Sequence, residues 1–292
     1  MVRSIHGHEE GALAELIPFE KLFDSADGEE IPLPPELAAL YGPLRLPLRV
    51  ERPYVLGNFV TSLDGVVALN TPGMPTGGGE IAGPDPHDHA LMGLLRSISD
   101  AIVVGAGTLA AAPGHLWTAE HVYRPLADAY RSARAQLGKA SPPLTVVVTA
   151  SGAIDLQHAA FSSGKARALV VTTEAGLRTL RQRDLPATVQ AIAVGGEKAV
   201  QASAVVGAIR AVQPTELILT EGGPTLMASF LAGGCLDELF LTVAPQVAGR
   251  DGSVYRPGFV DGKRFAPEAP LWGSLVSARR SGSHLFLRYA FA

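Results

Sequence analysis

Cysteine is nearly absent: the 292 residues contain one, Cys235. A single thiol excludes a disulfide framework, a C-x-x-C redox pair and a thiolate zinc cluster, and its expected role is that of a buried structural residue. Long apolar runs are missing as well. No window approaches the roughly 20 uninterrupted apolar residues that a membrane helix needs, and the opening MVRSIHGHEEGALAEL lacks the apolar stretch of a signal sequence. A reducing cytoplasm is the expected compartment. Charge of one sign is scarce: the formal net charge of −4 supplies no general attraction for nucleic acid or an anionic membrane. Arg124, Arg131 and Arg134 read as a solvated helix face. Metal-ligand spacing is lacking too. His87 and His89 stand two apart and cannot share a helix face, so no metal site is expected. His6, His8, His121, His158 and His284 are expected at the surface.

What remains is an ordinary globular composition, 47% hydrophobic and 18% charged, in a chain long enough for one large α/β domain or two smaller ones. Residues 1–51 stand apart. EEIPLPPELAALYGPLRLP spreads its prolines over a stretch without a sustained period, which predicts an extended N-terminal arm with one short helix near Ala12–Phe23. From Arg52 the pattern changes. YVLGNFVT (54–61) reads as a strand, the Gly/Pro-rich NTPGMPTGGGEIAGP (70–84) as a loop and plausible lid, and DPHDHALMGLLRSIS as a helix carrying Leu91, Leu94, Leu95 and Ile98 at helical spacing. Asp85 before Pro86, with Asp88 three residues on, resembles an N-terminal cap.

Short β-rich runs then alternate with helical stretches. Strands are expected at 101–105, 144–149, 168–173, 188–194 and 216–220; helices at about 124–137, 174–183, 198–211 and 224–232. That alternation predicts a mostly parallel sheet with helices on both faces. The runs at 237–247, 271–279 and 284–291 have no helices between them and read as antiparallel C-terminal strands.

Two strand-glycine-helix junctions carry the chemistry. In AIVVGAGTLAA, Gly105, Gly107 and Ala110 satisfy G-x-G-x-x-[GA], a spacing that permits a tight turn and close approach of backbone to a pyrophosphate. The next strand ends without the carboxylate that grips an NAD ribose, so Ser151 and nearby basic residues suit a 2′-phosphate better. In LILTEGGPTLMASFL, Gly223 serves as N-cap and Pro224 as first helical residue, leaving unpaired N–H groups at the sheet's carboxyl edge. Glu221 precedes these glycines, an acid beside an expected anion. A third group, NFVTSLDG (58–65), puts Asn58, Val60 and Ser62 on one strand face and follows them with an Asp64-Gly65 turn.

Taken in order, RPYVLGNFVTSLDGVVA, LLRSISDAIVVGAGT and LILTEGGPTLMASFLAGGCLDELFLTVAPQVAG resemble the reductase domain of riboflavin biosynthesis, over about residues 52–292. The resemblance implies a dihydrofolate-reductase-like α/β fold and NADPH. Val60, Gly105, Gly107, Thr108, Ser151, Gly222, Gly223, Pro224 and Thr225 would meet the cofactor. Asn58, Ser62 and Arg96 would meet the substrate, and Asp64 and Glu221 are the expected catalytic residues, with the Glu221 carboxylate turned away from the phosphates to accept N–H groups. A homodimer built on the C-terminal strands is implied as well.

There are departures. The zinc-deaminase pair H-x-E and P-C-x-x-C is absent. LAAAPGHLWTAEHVY stands where aspartates and an arginine follow in the bacterial enzymes, and Asn58 replaces a frequent lysine. His115 and Trp117 fall in that stretch, where a loop aromatic either stacks on substrate or covers the core. The reading is an NADPH-dependent reductase of a small heterocycle, a riboflavin-pathway pyrimidine of the 5-amino-6-ribosylaminouracil phosphate class. Pterin or dihydrofolate reduction and a non-catalytic NADPH sensor are the alternatives.

Overall fold

Tyr54–Thr61 is buried along almost its whole length and forms β4, the strand around which the molecule is organised. The computed structural model describes residues 16–71, 78–139, 141–196 and 199–291. Before β4 come β1 (Glu20–Asp24), a small ribbon of β2 (Glu29–Glu30) with β3 (Arg45–Leu46), and helix α1 (Pro35–Tyr41). After it come α2 (Gly79–Ala82), α3 (His87–Ile98), β5 (Ala101–Gly105), α4 (Ala106–Ala111), α5 (Ala119–Val122), α6 (Ala127–Gln136), β6 (Leu144–Val148), α7 (Ala159–Ser162) and β7 (Ala168–Thr172). The chain continues through α8 (Glu174–Arg181), β8 (Val189–Ala193), α9 (Ala202–Val212), β9 (Leu217–Thr220), α10 (Pro224–Ala232), β10 (Glu238–Val243), β11 (Gly273–Ser281) and β12 (His284–Phe291).

The main sheet has ten strands in the order β1-β11-β12-β10-β4-β9-β5-β6-β7-β8. From β10 to β8 every pairing is parallel; β12, β11 and β1 add to it antiparallel. Strands such as AIVVG and LILT read as unbroken apolar runs because both sheet faces are covered. One face carries α1, α3 and α6, with Leu91, Leu94, Leu95 and Tyr130 in its core; the other carries α9 and α10, with Val205, Ile209, Met227 and Phe230. Losing one such leucine to alanine costs about 2–5 kcal/mol. Gly93 lets α3 and α6 approach, since a β-carbon there would fall 2.4 Å from the Tyr130 ring and hydroxyl.

The expected strands are present, their ends shifted by up to a few residues. The N-terminal segment differs more. Residues 12–15 of the expected helix lie outside the described residues, and Glu20–Asp24 is a strand paired with β11, Glu20 opposite Arg280. The helix of this region is α1, opened by Pro35 and burying Leu37, Leu40 and Tyr41. Buried Arg279 fastens the segment: its Nη2 donates to Asp24 Oδ2 at 2.7 Å, its Nε to Tyr41 O at 3.1 Å, and its guanidinium lies over the Tyr41 ring.

Further side chains depart from expectation. His158 and His284 are buried, not superficial, each with Nε2 at 2.8 Å from a backbone carbonyl, Ala112 O and Ala82 O respectively. Arg134 is buried too; its Nη1 donates to Ser97 O and Ser99 O, ending α3. Cys235 is only partly buried. His6, His8 and residues 72–77 of the expected lid lie outside the described residues.

Candidate active site

The parallel strands diverge in connection around β4, β9 and β5, the place where an open α/β sheet leaves a crevice at its carboxyl edge. A cleft of about 950 Å³ lies there. Its floor is Asn58, Phe59 and Val60 of β4; one wall is Gly105–Thr108 and the other Glu221–Leu226.

The two glycine junctions meet. The Glu221 N–H donates to Val103 O at 3.0 Å, and a β-carbon placed on Gly223 would lie 3.4 Å from Thr108 Oγ1. Their glycines have different reasons to be glycine. Gly222 is needed for packing, because its β-carbon would strike Leu226 at 2.5 Å. Gly105 and Gly107 have nothing within 4 Å of that position, and Gly105, at φ −85° and ψ 159°, needs no special conformation. What they keep open is the cleft itself. Pro224 starts α10 at its first position, so the unpaired N–H groups of that first turn face an anion-competent end. Lys263, from the loop before β11, lines the same cleft, as does its neighbour Gly262, where an added β-carbon would lie 3.9 Å from Thr225 Cγ2. These residues fit a dinucleotide cofactor.

At the other end Arg96 and Glu221 form a buried pair. Arg96 Nε donates to Glu221 Oε1 at 2.9 Å and Nη2 to Oε2 at 2.7 Å. Nη1 donates to Leu116 O and Thr118 O at 3.3 and 3.2 Å, and Nη2 also meets His115 Nε2 at 3.0 Å. All five guanidinium donors are engaged. Arg96, expected to touch substrate, therefore holds Glu221 and the 115–118 loop. Each Glu221 oxygen keeps a second lone pair for a ligand.

Of the sequence-expected site residues, Asn58, Val60, Arg96, Gly105, Gly107, Thr108, Glu221, Gly222, Gly223, Pro224 and Thr225 line the cleft; Ser62, Asp64 and Ser151 do not. Asp64 accepts from Ser62 Oγ at 2.6 Å and from the Ala248 and Gly249 N–H groups at 3.0 and 2.8 Å. These donors hold its carboxyl well below the usual range. It ties the β4 turn to the loop after β10, and Ser62 belongs to the same knot, accepting from the Val66 N–H. Ser151 accepts from the Ala153 N–H in an exposed turn just past Ala150, which does reach the cleft.

Asp88, part of a cap-like sequence pattern, lines the cleft and is buried, and burial pushes its carboxyl pKa upward. The available signal was spacing: Asp88, Met92 and Arg96 recur every four residues on α3, a stripe beside the apolar face, and all three line the cleft. Asn58 Oδ1 is buried with no hydrogen-bond partner among the described residues, an acceptor suited to a ligand donor. Trp117 is buried and stacks on His158, with ring centroids 5.7 Å apart, whereas His115 stays partly exposed in the cleft wall. No cluster of three or more potential metal ligands occurs among the described residues.

The fold and this cleft define a reductase domain of the α/β class. Residues 53–268 match the model of the RibD C-terminal domain, and the chain belongs to that family, whose reductases use a nicotinamide cofactor. It is similar to a 2,5-diamino-6-ribosylamino-4(3H)-pyrimidinone 5′-phosphate reductase of Archaeoglobus fulgidus, with 29% identity over 219 residues, covering 73% of this chain and 89% of the relative. Among solved structures it resembles a pyrimidine reductase-like protein of Corynebacterium diphtheriae (24% identity, TM-score 0.63, covering 88% of this chain and 98% of the other). It also resembles a deaminase/reductase of Thermotoga maritima (17% identity, TM-score 0.59), matching 83% of this chain but spanning only 57% of that protein's length. The chain is an oxidoreductase.

Proposed function

We propose that the chain is an NADPH-dependent reductase of a ribosylaminopyrimidinone phosphate, the substrate type named for its Archaeoglobus relative. The observation that carries the reading is the convergence of the two glycine turns on one cleft whose far wall is the Arg96–Glu221 pair. Bound NADPH supplies hydride. Gly105, Gly107 and Thr108 on one side and Gly223–Thr225 on the other would hold it, with Lys263 beside its phosphates.

The chain's own residues orient and shield. Asn58 Oδ1 accepts a substrate N–H, and Glu221, locked by Arg96, accepts another. Asp88, favoured in its protonated form by burial, is placed to donate a proton or a hydrogen bond at the cleft wall. Orientation of this kind contributes more to hydride transfer than acid catalysis does.

Exposed apolar side chains support a homodimer on the antiparallel strands: Leu22 and Phe23 of β1, Leu275 of β11, Leu285 of β12, and Trp272, which is 83% exposed. No helix among the described residues is long and apolar enough to cross a membrane, in keeping with a cytoplasmic enzyme. The test is NADPH oxidation followed by absorbance with the diaminopyrimidinone phosphate, with dihydrofolate in parallel and NADH in place of NADPH. Turnover confined to the pyrimidine with NADPH supports the proposal; turnover of dihydrofolate alone, or NADPH binding without turnover, overturns it.

A further inference from the structure

His115 has a defined protonation pattern that the geometry alone dictates. Arg96 Nη2 lies 3.0 Å from its Nε2. A guanidinium can only donate, so Nε2 is the acceptor and the ring proton resides on Nδ1. Burial first, and the Arg96 charge second, hold the ring neutral, its pKa brought down to about 3. The plane of the ring is fixed by edge contacts with Trp117 and His121, at centroid distances of 5.1 and 4.8 Å. Nδ1 has no partner among the described residues, and it is not one of the buried orphan atoms, so solvent in the cleft reaches it. A rigid donor therefore shares the cleft with a rigid orphan acceptor, Asn58 Oδ1.

We infer that His115 is a substrate-binding residue whose Nδ1–H recognises a ring carbonyl of the heterocycle, paired with Asn58 as reader of a lactam-type N–H. The inference rests on the reading of this end of the cleft as the substrate end. The same contact couples recognition to the acid: Nη2 of Arg96 donates both to His115 and to Glu221 Oε2. A carbonyl bound at Nδ1 polarises the ring and strengthens Nε2 as an acceptor, which draws on the guanidinium that positions Glu221.

Two measurements test this, one of them independent of turnover. In ¹⁵N-histidine-labelled protein, with His115 identified by comparison with His115→Gln, the expected state is the neutral Nδ1–H tautomer from about pH 8 to 5. Adding 5,6-diaminouracil should move that Nδ1–H resonance downfield. An Nε2–H tautomer, titration near neutrality, or a resonance indifferent to 5,6-diaminouracil overturns the inference even in an active enzyme. In the second, His115→Gln keeps an acceptor where Nε2 stood but nothing at Nδ1, while His115→Asn keeps an N–H at the δ position. The expected KM for the diaminopyrimidinone phosphate rises about tenfold in His115→Gln, is partly restored in His115→Asn, and KM for NADPH stays put. A change in KM for NADPH alone assigns His115 to the cofactor instead. Absence of turnover in the unmodified enzyme counts against the proposed function, and the tautomer result stands apart from it.

Discussion

Arg96 and Glu221, 125 positions apart in sequence, meet fork to fork, Nε to Oε1 at 2.9 Å and Nη2 to Oε2 at 2.7 Å, with both side chains almost wholly buried. The pair joins α3 to the end of β9 and so fixes the far wall of the cleft.

Removing Arg96 leaves an uncompensated buried carboxylate. Arg96→Gln should lose about 3–5 kcal/mol of stability in denaturant melts, and Arg96→Lys should recover little of it, since an ammonium cannot make the paired contact or reach the Leu116 and Thr118 carbonyls together. A loss below about 1 kcal/mol would mean that the pair is not desolvated.

Glycine substitutions separate packing from ligand approach. Gly107→Ala should leave stability unchanged or raised by up to about 1 kcal/mol, because the new methyl meets nothing and the unfolded chain is stiffened, yet NADPH affinity measured by calorimetry should fall. Gly222→Ala should lower the melting temperature, because its methyl meets Leu226.

At Asp88 the proposed role in the reaction is opposed by stability. An acid whose folded pKa is raised contributes stability that is full below its unfolded value of 3.8 and is lost as pH rises through the folded pKa. Asp88→Asn should therefore melt higher than the unmodified protein, with the gain growing as pH rises above 3.8, while kcat falls. An Asp88→Asn variant that gains no stability over the unmodified protein at any pH above 3.8 would contradict this.

His115 works in the other direction. Its folded pKa lies below the unfolded value of 6.5, so the stability it contributes is full above that pH and is lost as pH falls toward about 3. Chemical denaturation between pH 7 and 4 should show a shallower loss in His115→Gln than in the unmodified protein.

Asp64→Ala should lower the melting temperature, through loss of the Ala248 and Gly249 contacts, with KM values for both substrates little altered. A selective loss of kcat at unchanged stability would return Asp64 to the chemistry.

Local pattern carried much of this. Alternating apolar runs revealed the parallel strands, because a strand covered on both faces is apolar whatever its partner, and the Gly-Pro start of α10 has its own local chemistry. Asp64 was misleading for a physical reason: an Asp-Gly turn looks the same whether its carboxylate faces substrate or the N–H groups of residues 248 and 249, and that choice is made by a loop nearly two hundred positions later. Glu221 lines the cleft, but its pairing with Arg96 has no signature in the sequence, since an ion pair between α3 and the end of β9 leaves no periodic trace. Asp88 was legible through the four-residue stripe it shares with Met92 and Arg96, and was obscured by its proximity to a helix start.

The edge strand β1 has a consequence for the order of assembly. Glu20 pairs with Arg280 and Asp24 with Ser277, so β1 has no ladder until a partner 260 positions later in the chain is in place. Closing so long a loop is entropically slow. Until then the backbone of β1 is unpaired beside the apolar side chains Leu22 and Phe23, the kind of edge that invites association.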